Sequence, residues 1–135
     1  MKPNKWCKLK VADDQKEYIA LLSHLPLKKH WSIPSVIKNT SIIDKQLRET
    51  KGLIGFAFQA EIIKKQFWTL SVWDDRTSLN DFVSKIPHSD VMITLAPHMR
   101  QTKFTEWSIK GSDLPPDWNE AKKLSAIMVD GYQLK

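Results

Sequence analysis

Two apolar runs rich in aromatic residues, Leu53 to Ala60 (Leu-Ile-Gly-Phe-Ala-Phe-Gln-Ala) and Phe67 to Trp73 (Phe-Trp-Thr-Leu-Ser-Val-Trp), flank a polar patch around Lys64 and Lys65. Their length and composition predict two strands, and their closeness predicts an antiparallel hairpin. Strand side chains alternate between the faces of a sheet, so Phe56, Phe58, Trp68, Leu70 and Trp73 cannot all point to one side. Both faces of the hairpin need cover. The chain must therefore build a layered fold rather than a sheet with one wet face.

The remaining segments supply the layers. Tyr18 to Leu25 is apolar on both alternating sets and is closed by Pro26, which predicts a strand covered on both faces. Pro34 suits the first turn of a helix whose Val36, Ile37, Thr40, Ile43 and Leu47 follow the helical period, with Gly52 as its stop. Asp74 and Asp75 can cap a second helix with Leu79, Phe82, Val83 and Ile86 on one face, interrupted by Pro87. Ser89 can cap a further piece through Val91, Met92 and Leu95, ended by Pro97. Gln101 to Ile109 alternates, with Thr102, Phe104, Glu106 and Ser108 against Lys103, Thr105, Trp107 and Ile109, and predicts a fourth strand. Pro115, Pro116 and the box Asp117-Trp118-Asn119-Glu120 open a short helix to about Ser125. The last ten residues leave room for one more strand.

The order βαββαβ predicts an α+β fold, a ferredoxin-like sandwich of a four-stranded antiparallel sheet with both helices on one face. Residues 1–16 form a basic arm, at most a short edge strand, residues 17–110 the domain, and residues 111–135 a C-terminal extension. Two helices cover only one face, yet Phe104 and Trp107 add to the aromatic residues that cannot share it. A second copy packed sheet to sheet is the economical cover, because a two-fold axis makes one patch complementary to itself.

With 135 residues, 41% hydrophobic and 27% charged, the chain has material for one core, and disorder is excluded. No apolar run approaches the roughly 18 residues of a membrane helix, and the amino terminus lacks a signal-like stretch. Neither a membrane partner nor export is expected. The single Cys7 excludes an intrachain disulfide framework and fits a reducing compartment, so a cytoplasmic location is expected. The net charge of +6 is spread over the amino-terminal third, and only three of 21 basic residues are arginine, the residue favoured for bidentate phosphate contacts. A solvated lysine face explains this distribution better than a nucleic-acid footprint.

The stretch Phe-Trp-Thr-Leu-Ser-Val-Trp-Asp-Asp from Phe67, followed by Leu79, Phe82 and Pro87-His88, resembles the second half of antibiotic-biosynthesis-monooxygenase-type domains, members of the dimeric α+β barrel group. The resemblance covers about residues 17 to 110 and rests on a strand-to-helix pattern. It implies a homodimer whose two sheets form a barrel, with a small-molecule cavity in each protomer. Members of the group include cofactor-independent oxygenases of polycyclic phenols, haem-degrading enzymes and isomerases. The haem-degrading members use a tryptophan and a histidine on the second helix, and aligned through Trp73 those positions hold Phe82 and Met92. Neither residue keeps that chemistry, and His88 is off register.

Candidate reactive residues are few. His24, His30, His88 and His98 form no paired spacing for a metal, so no metal site is expected, and no phosphate-binding or dinucleotide motif appears among four glycines. No cofactor is expected. Cys7 reads as an inert thiol in the arm. His88, just beyond Pro87, can lean into a pocket and exchange a proton, against a packing role at a helix terminus. His24 faces either the core or the barrel. Glu106 is a candidate base if it shares an inward face with Phe104. Phe56, Phe58, Trp68, Trp73 and Trp107 offer an apolar lining for an aromatic ligand, and core packing would use the same residues.

These observations predict a protein that binds a small hydrophobic or aromatic molecule, a cofactor-independent monooxygenase with His88 and His24 as catalytic residues. The alternative is a non-catalytic sensor or carrier. A third reading, an RNA-recognition-like module, rests on Lys51-Gly52-Leu53-Ile54-Gly55-Phe56-Ala57-Phe58, an interrupted echo of a base-stacking signature that falls on the second strand instead of the third.

Overall fold

A computed structural model describes residues 5–85 and 88–127. The strands are β1 (Cys7–Lys8), β2 (Glu17–Pro26), β3 (Leu53–Glu61), β4 (Gln66–Trp73) and β5 (Lys103–Lys110). They form one antiparallel sheet in the order β1-β3-β4-β2-β5. The helices are α1 (Ile33–Arg48), α2 (Arg76–Ser84), α3 (His88–Leu95) and α4 (Trp118–Ile127). From β2 to β5 the chain follows the ferredoxin-like order, and the arm adds β1 to the edge strand β3, pairing Cys7 with Phe56 and Lys8 with Gly55.

Local chemistry sets the element ends. The α1 helix carries Pro34 in its first turn and buries Ile33, Val36 and Leu47. Beyond it Gly52 takes φ 83, and a Cβ there would lie 2.1 Å from the Ser78 hydroxyl, so glycine is required twice over. Asp75 caps α2 by accepting a hydrogen bond from the Ser78 N–H at 2.8 Å. The expected apolar position Ile86 and the breaker Pro87 lie outside the described residues. The α3 helix starts at His88, whose N–H donates to Gln46 Oε1 on α1 at 2.9 Å.

The register assigns the two faces. Leu21 stands opposite Ser71 and Glu106, Ser23 opposite Thr69 and Phe104, and Phe56 opposite Ser71. This inner face packs on the helices, with Leu21, Phe56, Phe58 and Trp73 against Leu47, Leu79 and Phe82. On the outer face are Tyr18, Ala20, Leu22, Ile54, Leu70 and Val72, which pack with Trp6, Trp107, Trp118 and Ala121.

The outer face corrects the premise for a second copy. Ala20, Leu70, Val72 and Thr105 are 0% exposed within this single chain, because α4 and Trp6 of the arm lie across them. The cover that the sequence assigned to a partner is supplied from within. Gly55 makes room for it, since a Cβ there would come 2.4 Å from the Trp6 ring. Of the last ten residues, the first two belong to α4, and the strand considered for the rest lies outside the described residues.

Candidate active site

The inner face and the helices enclose a cavity of about 460 Å³, within the few-hundred-Å³ range of small-molecule sites. A second space of about 60 Å³ adjoins it through Leu25, Phe58, Thr69, His88 and Met92, which line both. The walls are mostly apolar. Leu21, Phe56, Phe58, Trp73 and Phe104 come from the sheet, and Phe82 and Met92 from the helices. Ser23 and Thr69, cross-strand partners, place two hydroxyls on the floor. Ser71 Oγ is taken up by the Trp73 Nε1–H at 2.8 Å.

Among the described residues, His88 is the one ionisable side chain in either lining. Its Nδ1 lies 3.0 Å from the Val83 carbonyl, an acceptor, so Nδ1 carries the proton and Nε2 keeps a lone pair. Its ring packs on Phe82 at 4.7 Å between centroids. Burial holds the imidazole below the usual histidine pKa, and the bond to Val83 only partly opposes this. A neutral imidazole with a fixed tautomer in an apolar cavity can accept a proton from a bound molecule. Hydroxyls such as those of Ser23 and Thr69 can donate to an oxygen that becomes charged.

The sequence-predicted residues separate by face. Phe56, Phe58, Trp73 and His88 meet at the cavity. Trp68 borders the smaller space, but its ring stacks on His24 at 4.0 Å, on the outer face. His24 and Trp107 must be corrected as cavity residues. The two-residue period of β2 and β5 puts both opposite the inward set, with Trp107 packed among the residues beneath α4. His24 Nε2 lies 3.3 Å from Gln66 Oε1, and burial, the largest influence, lowers its pKa. Glu106 shares the inner face with Phe104, as its role required, but it pairs with Arg76 and does not line the cavity. Phe56 and Phe58 are buried beneath helices, which removes them as a platform for stacked bases.

Sequence reasoning missed Ser23, Thr69 and Met92. For Ser23 and Thr69 the signal was a hydroxyl residue breaking an apolar run on the inward set, which becomes readable only once the register is known. No group of three or more histidine, cysteine, aspartate or glutamate side chains suited to a metal occurs among the described residues.

No family model matches the chain, and no curated protein does. Solved structures do match. An antibiotic biosynthesis monooxygenase superposes with a TM-score of 0.59 at 14% identity, covering 68% of this chain and 96% of that one. The fold is that of the antibiotic-biosynthesis-monooxygenase-like proteins. Another monooxygenase-like match is SnoaB, a cofactor-independent oxygenase from Streptomyces nogalater, with a TM-score of 0.54, 11% identity and coverage of 73% and 98%. A conserved protein from Methanosarcina mazei Go1 gives 0.61, 13%, 67% and 90%. These chains are matched almost whole, while between a quarter and a third of this chain lies outside each match.

Proposed function

We propose that the protein binds one small hydrophobic aromatic molecule in the cavity beside His88 and oxygenates it without a cofactor. The observation that carries this reading is a 460 Å³ apolar cavity in which His88 is the single ionisable side chain among the described lining residues. The fold shared with a cofactor-independent oxygenase supports it. A suitable substrate is a polycyclic phenol with an acidic CH2 group. Nε2 of His88 takes one C–H proton, and the ring system delocalises the resulting carbanion. Electron transfer to dioxygen and formation of a C–O bond give a peroxide. His88 returns its proton to the peroxide and then takes the second C–H proton, which cleaves the O–O bond, and the departing hydroxide receives that proton from His88 and leaves as water. The balance is CH2 + O2 → C=O + H2O, with four electrons passing from carbon to oxygen. Ser23 and Thr69 steady the developing phenolate.

The test is oxygen uptake with a panel of such phenols, alongside ligand affinity from tryptophan quenching. His88→Gln should lower turnover at least about a hundredfold, the usual scale for losing a general base, with affinity nearly kept. His24→Ala should leave turnover intact. Undiminished turnover in His88→Gln would sink the mechanism. A second reading has one observation in its favour: no acid stands beside His88 among the described lining residues. Tight binding without oxygen uptake across the panel would make the protein a carrier or sensor.

A further inference from the structure

Three segments meet at the end of the sheet where β3 turns into β4. They are the turn itself (Ile62 to Lys65), the chain leaving β2 (Leu27 to Ser32) and the approach to β5 (Ala96 to Arg100). Backbone hydrogen bonds tie them into one platform. The Leu27 N–H donates to the Lys65 carbonyl at 2.7 Å, the Lys28 N–H to that of His98 at 2.9 Å, and the Arg100 N–H to that of Pro26 at 2.9 Å. His30 Nε2 reaches the Ile63 carbonyl at 3.2 Å, and the Trp31 ring meets the His98 ring edge-on at 5.4 Å.

This platform breaks the ordinary chemistry of a turn. Small polar residues favour such positions, yet Ile62 and Ile63 occupy this one, 45% and 90% exposed, and Trp31 beside them is 70% exposed. Lys65 holds a φ of 58, a conformation more natural to glycine or asparagine. The same three segments carry five cations, Lys28, Lys29, Lys64, Lys65 and Arg100. The one acid flanking the turn, Glu61, is already engaged by Lys64 at 3.7 Å and Lys122 at 3.3 Å. Exposed aliphatic and indole side chains on segments rich in cations match a surface that offers hydrocarbon beneath a layer of phosphate.

We propose that this end of the domain docks on a bilayer containing anionic phospholipid. Ile62, Ile63 and Trp31 enter the boundary between headgroups and acyl chains, and the surrounding lysines and Arg100 contact lipid phosphates. A single-stranded nucleic acid is the weaker match, because isoleucine has no π-face on which a base can stack. The inference departs from the expectation of no membrane partner. That expectation concerned spanning, and no helix among the described residues is long and apolar enough to cross a membrane. Surface docking needs no such helix, and it stands apart from the chemistry of the cavity.

The test is flotation of the full chain with phosphatidylcholine vesicles, with and without phosphatidylglycerol, at low and high salt. Binding should need phosphatidylglycerol and weaken with salt. Ile63→Asp should lower the partition coefficient roughly tenfold or more. Lys28→Glu with Lys29→Glu should lower it roughly fivefold or more for each lysine. These side chains are exposed, and an unchanged thermal midpoint certifies each variant. Either variant alone suffices if the other fails to fold. Equal binding to phosphatidylcholine alone, no binding at low salt, or binding indifferent to both changes would overturn the proposal. Capture of a single-stranded oligonucleotide with vesicles left unbound would overturn it too and assign the platform to nucleic acid.

Discussion

His88 and His24 lie on opposite faces of the sheet, yet burial pushes both imidazoles in one direction, below the usual pKa. The sign of the consequence follows from proton counting. Below about pH 6.5 an unfolded chain protonates these histidines more readily than the folded one does. Their contribution to stability is therefore present above that pH and is lost as pH falls toward the folded-state values. Thermal midpoints should stay level near pH 7 to 8 and decline below about 6.5, and a His24→Gln, His88→Gln double variant should decline less. If both proteins show the same acid slope, these residues do not carry it. Turnover should fall on the same acid limb, since only the neutral imidazole accepts a proton. The sequence pointed to His88 because a proline break beside a histidine is a local signal. It left His24 open between two faces because Tyr18 to Leu25 is apolar on both alternating sets, so hydropathy alone could not orient the strand.

At the scale of elements, strands and helices were legible where a period or a breaker marked them. Asp75, Pro34 and the alternation of Phe104 with Thr105 each act within a few residues, and each appears in the structure as read, whereas Gly52 serves the turn into β3 and not the end of α1, which stops at Arg48. Long-range packing was not legible. Nothing near Trp6 or Trp118 in the sequence announces that an arm and a terminal helix share one face of the sheet. Trp107 lies away from the cavity for the same reason, packed with Trp6 and Trp118 from the two ends of the chain. The contact between arm and β3 can be probed at Gly55, where a methyl group would sit 2.4 Å from the Trp6 ring. Gly55→Ala should cost about 1–3 kcal/mol, the range for overpacking a filled site, measured by urea unfolding. Pairing it with Trp6→Ala should recover part of that overpacking loss. A neutral Gly55→Ala would mean that the arm detaches readily from the sheet.

For the whole molecule, the closed outer face changes what oligomeric state to expect. A sheet-to-sheet dimer would have to displace α4 and Trp6 from residues that are fully buried, including Leu70 and Val72. Native mass spectrometry at micromolar concentration should give a single chain, with added mass if a ligand is retained. A two-chain mass would show either that α4 yields or that another surface pairs. The cover also changes how the fold responds to dilution. A face closed by a partner is protected only while enough copies are present, because association depends on concentration and closure within a chain does not. A domain that carries its own cap keeps its sheet buried at any abundance, so a cell could hold it at a handful of copies without losing the fold.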